Sequence, residues 1–580
     1  MKSHRHRHHN ARHKRNPDEH GTLEILSPYS VDQDKATPTA APTHEESTAT
    51  LPPEVYLVGC GIVATNTGQP TAQTMGSKAC NLMRMVQISL PVPPAFVLGT
   101  HYCTDPEARE LVSSPSLWKV GLHALERATG LGFGDAHHPL LLSVRSGAAI
   151  SMPGMMETLL NIGLCDATVG GLLRQTGNPR LVWDAYRRLV ATYGEVVAGL
   201  PRQLFDEATT TLFGACDERD LDFADLRTLT LRFLDVYTEA AGRRFPQEPG
   251  LQLAGAIESV FASWQSPKAC EYRRLNQIPD TIGTAVTVQS MVFGNAGGQS
   301  GAGVGFTRDP ASGEPVLWVD FLFNSQGEDV VSGRRSAHGH NELAAVLPAV
   351  WQELIVAARQ LEHAFADMQD FEFTVQEGRL FMLQSRVGKR TPYAAARIAL
   401  DLLDEGLISI DLARERTAGL NRETLARSRI VDPGGGGLVP LARAATASSG
   451  VAIGEIALDE TRALARHDAG VPVVLVRRDA ETNDIAALES ATGLLTQRGA
   501  RTSHAAVVAR QLGKVCLVGC TELQIDEATR TIKIGDTTLH EGDMLTLDGN
   551  EGALYALAVE TEIEYPVELL TRLKSLRERD

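Results

Sequence analysis

A pair of alternating segments near the middle of the chain constrains the fold most. Residues 368–375 read MQDFEFTV and residues 379–386 read RLFMLQSR, with the turn Gln376-Glu377-Gly378 between them. Apolar and polar residues alternate with a period of two, which is typical of strands with one buried face. The short turn with its glycine predicts that the two strands pair as a hairpin. This part of the chain must therefore contain an antiparallel sheet.

The same alternation places four polar side chains on one face of the hairpin. Asp370 and Glu372 share a face of the first strand, and Gln384 and Arg386 share a face of the second. Pairing of the strands brings these side chains together between apolar neighbours. Two carboxylates, an amide and a guanidinium suit Mg²⁺ and a polyphosphate, because hard cations prefer oxygen ligands. The alternative is a solvent-facing strand with a salt bridge.

A histidine follows a second strand-like run, Gly493-Leu494-Leu495-Thr496. Thr502 or Ser503 is predicted to cap the short helix AAVVARQLG, which stops at Gly513. His504 then lies in the first turn of the helix, where unpaired backbone N–H groups and the helix dipole favour an anion. An imidazole at this position is a candidate carrier of a phosphoryl group. The alternative is a capping-turn histidine without chemistry.

Three further features suit phosphate binding. Lys78 follows a glycine turn at the predicted start of a helix, and Arg145 ends the buried strand-like run LLLSV. A buried guanidinium requires an anionic partner, whereas a single lysine after a turn is equally an ordinary surface residue. Residues 294–303 are rich in glycine, and their backbone amides could cradle phosphates or form only a flexible hairpin tip. The glycines concerned are Gly297, Gly298, Gly301 and Gly303.

Composition describes a globular chain and excludes two classes of protein. A length of 580 residues suits roughly three or four domains. The net charge of −16 argues against a general nucleic-acid binder. No apolar run reaches the roughly 18–20 residues needed to span a bilayer. The eight cysteines are scattered without a CxxC pair, which favours free thiols in a reducing compartment, and we therefore expect a cytoplasmic protein.

Changes of pattern divide the chain into segments. Residues 1–53 are basic and rich in histidine, then rich in Pro and Thr, and are interpreted as a disordered tail rather than an organelle transit peptide. Residues 54–390 are predicted to form the main folded region, with a helical insertion over about 166–280. The remaining segments are a helical linker with the glycine hinge PGGGG (391–437), a small domain that holds His504 (438–556) and a C-terminal tail (557–580).

Together these motifs resemble the pyruvate, phosphate dikinase family. The resemblance covers about residues 75–555 and rests on long segments that occur in the family's order. It implies an α+β and α/β multidomain fold, with an ATP-grasp nucleotide-binding region that carries a helical insertion and a small phosphohistidine domain that swivels. The segments are SVRSGAAISMPGMMETLLNIGL, VQSMVFGNAGGQSGAGVGFTRDP, FNSQGEDVVSGRR, MQDFEFTV, FMLQSRVGKRT and LLTQRGARTSHAAVVARQLGK.

The resemblance also implies roles for individual residues. His504 matches the histidine that is phosphorylated, and Thr502 matches a position at which some members are regulated by phosphorylation. ATP and its phosphates would be bound by Lys78, Arg145, Gly297, Gly298, Gly301, Gly303, Gln384 and Arg386, and Mg²⁺ by Asp370, Glu372 and Gln384.

The reaction that the resemblance implies uses ATP and inorganic phosphate. Phosphate accepts the γ-phosphoryl group and the β-phosphoryl group stays on His504, which releases AMP and pyrophosphate. In related synthase-type enzymes water replaces phosphate, and the residues of this chain leave that choice open.

The chain departs from the family in two places. Ala500-Arg501 replaces the usual Gly-Met before the Thr-Ser-His motif. A full member continues into a C-terminal barrel that binds pyruvate or phosphoenolpyruvate, and this chain stops where that domain should begin. We therefore expect a separate acceptor polypeptide that carries pyruvate, and a homodimer is left open. The alternatives are another acceptor, such as an alcohol, a phenol or an antibiotic hydroxyl, and a non-catalytic ATP-binding relic.

Overall fold

The computed structural model describes residues 48–65, 69–150, 152, 156–214, 220–331, 338–431, 438–479, 485–501 and 503–578. Strand β1 (Thr48–Thr50) pairs in parallel with β3 (Val63–Thr65). Secondary structure is therefore already present before residue 54, where the main folded region was predicted to begin. Within the described residues, every helix is too short or too polar to cross a bilayer.

The first large sheet has five strands in the order β2-β4-β7-β5-β6 among the described residues, all antiparallel. The inner strand β4, AFVL, is buried along its whole length, as expected for a continuous apolar run. The strands are β2 (Val55–Val58), β4 (Ala95–Leu98), β5 (Leu142–Gly147), β6 (Thr158–Ile162) and β7 (Ala285–Ser290), with the helices α1 (Ala72–Gln87), α2 (His101–Thr104), α3 (Pro106–Glu110) and α4 (Pro115–Thr129).

A helical segment separates β6 from β7, where the sequence predicts helices over about 166–280. Residues at helical spacing, such as Phe233 and Tyr237 on α8, are buried between the helices. The helices are α5 (Asp166–Thr176), α6 (Pro179–Val196), α7 (Gln203–Phe213), α8 (Phe223–Ala241), α9 (Pro249–Ala262) and α10 (Pro267–Leu275), with short 3₁₀ turns at Ser263–Gln265 and Asp280–Ile282.

The second large sheet contains the predicted hairpin. Its described strands follow the order β10-β9-β8-β11-β12, and β11 pairs with β12 antiparallel, so the hairpin prediction is confirmed. One face is covered by α1 and α13 through the rings of Phe321, Phe371 and Phe373. The elements are β8 (Gly301–Phe306), β9 (Trp318–Phe323), β10 (His338–Gly339), β11 (Gln369–Gln376), β12 (Arg379–Val387), α11 (Gly327–Val331), α12 (His340–Val346) and α13 (Pro348–Phe365).

The linker and the end of the chain fold together, so the prediction of a C-terminal tail over 557–580 is wrong. Strand β25 pairs antiparallel with β13, and Leu569, Leu573 and Leu576 of α19 are buried against α14 and α15. The leucines recur at helical spacing, which makes one apolar stripe on a charged helix. The PGGGG hinge lies outside the described residues. The elements are α14 (Pro392–Asp404), α15 (Ile410–Thr417), β13 (Arg427–Ile430), β25 (Thr561–Glu564) and α19 (Val567–Glu578).

The small domain is built on a mixed sheet of eight described strands, in the order β14-β24-β23-β16-β17-β18-β19-β15. The strands β16 to β19 run parallel, and α18 connects β18 to β19 as the sequence predicts. The elements are β14 (Ala442–Arg443), β15 (Ala445–Ser448), β16 (Val451–Ala457), α16 (Glu460–Asp468), β17 (Val473–Arg477), α17 (Ile485–Ser490), β18 (Gly493–Thr496), α18 (His504–Gln511), β19 (Val515–Val518), β20 (Leu523–Asp526), β21 (Thr531–Ile534), β22 (Thr537–His540), β23 (Met544–Asp548) and β24 (Ala553–Tyr555).

Candidate nucleotide-binding and phosphotransfer site

The start of α1 is tied to the end of β5. The backbone N–H and the Oγ of Ser77 each donate a hydrogen bond of 3.0 Å to the carbonyl oxygen of Ala148. Gly76 interrupts the regular helix with φ of 78°, and the backbone of Gly147 fills the space where a Cβ would lie. This packing places Lys78, one residue beyond Ser77, beside the strand that carries Arg145.

Lys78 and Arg145 line a cavity of about 240 Å³ between the two five-stranded sheets. Desolvation lowers the pKa of Lys78, and Arg145 and Arg386 lower it further, against the opposing effect of Glu372. The Nε of Arg145 is buried, and no described group accepts a hydrogen bond from it. A buried guanidinium nitrogen without a partner suits an anionic ligand.

The hairpin brings the four predicted polar residues together in two directly opposed pairs. Asp370 lies opposite Arg386, and Glu372 lies opposite Gln384. The Nε of Arg386 donates a 2.8 Å hydrogen bond to Oδ2 of Asp370. Burial raises the pKa of Asp370 even though Arg386 opposes the shift. Burial also acts to lower the pKa of Arg386, but Asp370 and Glu372 outweigh it and the pKa is raised.

The two pairs differ in their access to the cavity. Glu372 and Gln384 line it, whereas Asp370 and Arg386 are bound to each other and do not. Among the described residues no group of three or more His, Cys, Asp or Glu side chains is placed to hold a metal. A bound cation would therefore take the oxygens of Glu372 and Gln384 and complete its coordination with ligand oxygens, which is the usual arrangement for Mg²⁺ with nucleotides.

The glycine-rich segment 294–303 is a loop only as far as Ser300, so the prediction of a loop over its whole length is wrong. Gly297 and Gly298 lie in the loop, and a Cβ on either would meet no atom within 4 Å. Gly301 and Gly303 belong to β8, where a Cβ would lie 2.2 Å from the ring of Phe321 and 2.4 Å from that of Phe373. Sheet packing therefore accounts for the two later glycines, although Gly303 also lines the cavity.

His504 is the first residue of α18, and Ser503 caps this helix. The side chain of Ser503 accepts a hydrogen bond from the backbone N–H of Ala506, which agrees with the predicted cap. Thr502 and the side chain of His504 lie outside the described part of the structure. The backbone of His504 lies at a helix N-terminus, as the sequence predicts.

The turn before His504 packs against the second sheet. Arg501 forms an ion pair with Asp320 of β9, with 3.2 Å between Nη2 and Oδ1. In the sheet register Asp320 pairs with Val304, and Val304 pairs with Glu372. Directly paired residues of antiparallel strands project to the same face. The small domain therefore contacts the sheet face that carries Glu372.

Arg510 is a residue of this region that sequence reasoning missed. It is 1% exposed, its Nε donates to the carbonyl of Ala447 (2.9 Å), and its Nη2 donates to the carbonyl of Arg501 (3.2 Å). Burial lowers the pKa of Arg510 to about 10. The sequence contains one indication of this role: Arg510 follows Ala506 by four residues, which places it on the apolar face of the short helix.

Comparison with known families matches two segments of the chain. The family described as "Pyruvate phosphate dikinase, AMP/ATP-binding domain" matches residues 106–341, and the family "PEP-utilising enzyme, mobile domain" matches residues 470–552. Two segments of the chain are therefore similar to two domains found in pyruvate, phosphate dikinases. The fold class expected from the sequence, a mixed multidomain fold with an ATP-grasp region, is confirmed.

Individual relatives extend the match over most of the chain. It is 42% identical to the pyruvate, phosphate dikinase of Clostridium symbiosum over 501 residues, which are 84% of this chain and 57% of that protein. It is 41% identical to the chloroplastic pyruvate, phosphate dikinase 1 of Arabidopsis thaliana over 524 residues, which are 89% of this chain and 54% of the relative. The chain spans about half the length of these relatives, and the comparisons give no support to a separate acceptor polypeptide.

Proposed function

We propose that this chain is an ATP-dependent phosphotransferase in which His504 takes a phosphoryl group from ATP bound between the two five-stranded sheets. The observation that supports this most is the packing of the turn before His504 on the sheet face that carries Glu372. The similarity to enzymes named pyruvate, phosphate dikinase supports the same reaction class.

The phosphates of ATP would be bound by the cations of the cavity. Lys78 and Arg145 both line it, and the Nε of Arg145 has no partner in the described structure. The open backbone of Gly297 and Gly298 can approach a phosphate closely because no side chain intervenes. Positioning and charge neutralisation account for most of the catalysis in phosphoryl transfer.

Mg²⁺ would be held by Glu372 and Gln384, whose oxygens face the cavity from opposed strands. When bound, it neutralises charge on the phosphate oxygens. Asp370, which the sequence suggested as a third ligand, would instead orient Arg386 through their ion pair.

The first transfer forms one bond to the imidazole of His504. A ring nitrogen of the neutral histidine attacks the β-phosphorus, the bond between this phosphorus and the bridging oxygen of the α-phosphate breaks, and AMP leaves. An oxygen of inorganic phosphate then attacks the γ-phosphorus, the bond from this phosphorus to the oxygen that bridges it to the β-phosphorus breaks, pyrophosphate leaves, and the β-phosphoryl group remains on His504. The helix N-terminus at Ser503 stabilises the negative charge that the histidine acquires.

The phosphohistidine would then pass its phosphoryl group to pyruvate, the substrate named in the relatives. This second half is tested separately. Purified phosphorylated chain is incubated with pyruvate, and phosphoenolpyruvate is measured. Release of inorganic phosphate alone would show that this chain does not itself transfer to pyruvate.

The first half is tested with Mg²⁺, phosphate and ATP labelled at the β-phosphorus. We expect acid-labile, base-stable label on the protein, with AMP and labelled chain formed in equal amounts. The His504→Gln variant should take no label, whereas His540→Gln, a change at an exposed histidine of β22, should label normally. Absence of label on the unmodified chain, or label that persists in His504→Gln, would refute the proposal. Omitting phosphate distinguishes pyrophosphate formation from release of phosphate to water.

A further inference from the structure

We propose that Arg501 is a positioning residue that holds the small domain against the second sheet for the first transfer. We call the contact of Arg501 with Asp320 and Trp318 the latch. The inference rests on the proposed function, because the position of the domain matters to the reaction only if His504 is phosphorylated at the nucleotide site.

The latch combines an ion pair with a cation–π contact. Nη2 and Nε of Arg501 lie 3.2 and 3.4 Å from Oδ1 of Asp320, and the guanidinium carbon lies 4.0 Å from the centre of the Trp318 ring. The side chain of Asp320 is 2% exposed and that of Arg501 is 22% exposed. A pair that is largely removed from water is screened less by salt than a surface pair and gains more from the aromatic face.

The latch lies two strands away from Asp370 and Glu372 of β11, in the same sheet. Asp320 is aligned with Glu372 across β8, through the pairs Asp320 to Val304 and Val304 to Glu372. Two strand spacings separate Asp320 from Glu372, which is about 10 Å. Trp318 is aligned in the same way with Asp370, through Phe306. By contacting Asp320 and Trp318, Arg501 therefore sets the position of the small domain relative to Asp370 and Glu372.

Arg510 makes the latch rigid with respect to His504. It donates to the backbone carbonyls of Arg501 and Ala447, and its guanidinium lies 5.6 Å from the ring centres of both Phe306 and Trp318. The backbone of Arg501 is thus held from inside the small domain, on the helix that begins with His504. When the Arg501 side chain binds the sheet, this helix is positioned with it.

The test compares Arg501→Met, Arg501→Lys, Asp320→Asn and the double variant Arg501→Met/Asp320→Asn in the full chain. Hydroxyl-radical oxidation of Trp318, measured by mass spectrometry, reports whether the sheet face is covered, and it needs no ATP. Trp264, in the 3₁₀ turn after α9, is 1% exposed, and its oxidation serves as the control for unfolding. The rate of labelling from β-labelled ATP is measured in parallel at low and high salt.

We expect Arg501→Met to increase Trp318 oxidation, to leave Trp264 oxidation unchanged and to slow labelling about tenfold. For Arg501→Lys we expect Trp318 oxidation and a labelling rate between those of Arg501→Met and the unmodified chain, because lysine keeps the charge but lacks the planar guanidinium. Asp320→Asn should change Trp318 oxidation and the labelling rate as Arg501→Met does. The double variant should show effects little larger than those of either single variant, because both changes remove the same contact. Added salt should slow labelling of the unmodified chain more than that of Arg501→Met.

Two results would overturn the latch. One is unchanged Trp318 oxidation and unchanged labelling in Arg501→Met, and the other is additive effects of the two single changes. Failure of the proposed function looks different. If the unmodified chain takes no label while Arg501→Met still exposes Trp318, the docking contact stands and the phosphotransfer proposal falls.

Discussion

Gly76 in the first turns of α1 packs against Gly147 at the end of β5 so closely that a Cβ on Gly76 would lie 2.1 Å from the carbonyl oxygen of Gly147. The contact brings the helix that carries Lys78 to the strand that carries Arg145. Both cations line the same cavity. The proposed phosphate-binding pair therefore depends on two residues that have no side chains.

Gly76→Ala should destabilise the chain and weaken ATP binding. The backbone at Gly76 has φ of 78°, and the new methyl group would collide with a backbone oxygen that has little freedom to move. We expect a loss of about 2–4 kcal/mol in the free energy of unfolding, measured in urea, and a higher Kd for ATP. Gly177→Ala is the matched control, because its φ is 58° and no atom lies within 4 Å. It should cost only about 1–2 kcal/mol. Equal losses for the two variants would contradict the steric explanation.

Arg145→Met should weaken ATP binding without a comparable loss of stability. Its buried Nε has no partner in the described structure, so the folded protein loses no internal hydrogen bond there. We expect Kd for ATP, measured by calorimetry, to rise at least about tenfold, with the free energy of unfolding changed by less than about 1 kcal/mol. Arg187→Met is the control, since Arg187 is buried and lies 2.6 Å from Asp184. It should cost about 2–3 kcal/mol of stability and leave ATP affinity unchanged. A large loss of stability in Arg145→Met with an unchanged Kd for ATP would show that Arg145 has a structural role.

Glu372→Gln should raise the Mg²⁺ concentration needed for labelling of the chain from β-labelled ATP. The substitution keeps the shape of the side chain and removes the charge that a hard cation prefers. We expect the half-saturating Mg²⁺ concentration to rise at least about tenfold. Glu377→Gln, at the exposed turn of the same hairpin, should behave like the unmodified chain. An unchanged Mg²⁺ dependence in Glu372→Gln would remove this residue from the metal site.

Cys516 should be unreactive in the native protein. Burial raises the pKa of its thiol to about 12, and that of Cys60 to about 11, so at pH 8 the thiolate of Cys516 is about one part in ten thousand. Alkylation with iodoacetamide, followed by mass spectrometry, should modify the partly exposed Cys270 first and Cys516 only after denaturation. Because the folded pKa of Cys516 is raised, its contribution to stability is complete below about pH 9 and is lost as the pH rises towards 12. Equal rates for Cys516 and Cys270 would contradict the burial of the strand.

Local pattern was sufficient for several elements. The period of two predicted the hairpin and placed Asp370 and Glu372 on one face, because side-chain direction in a strand depends only on neighbours along the chain. Ser503 could be foreseen as a helix cap for the same reason. The short turn of the hairpin also predicted that Gln384 and Arg386 lie close to the two carboxylates, because it limits the register of the two strands.

Other features could not be read from the sequence. Gly301 and Gly303 looked like part of a phosphate loop, but rings from distant segments account for them. The charged end of the chain looked like a tail because the partners of Leu569, Leu573 and Leu576 lie in a segment far away in sequence. The helical spacing of these leucines indicates an apolar stripe, but it does not show which remote elements cover that stripe.

The sequence by itself determined the hairpin, the capped helix that begins at His504 and the residue types suited to phosphate and Mg²⁺, since these depend on short-range spacing and on side-chain chemistry. Only the tertiary structure decided that Lys78 and Arg145 line the same cavity and that Arg501 reaches Asp320. These are contacts between segments far apart in the chain. They exist because sheets and helices pack in three dimensions, and the free energy of that packing is not a property of any one segment.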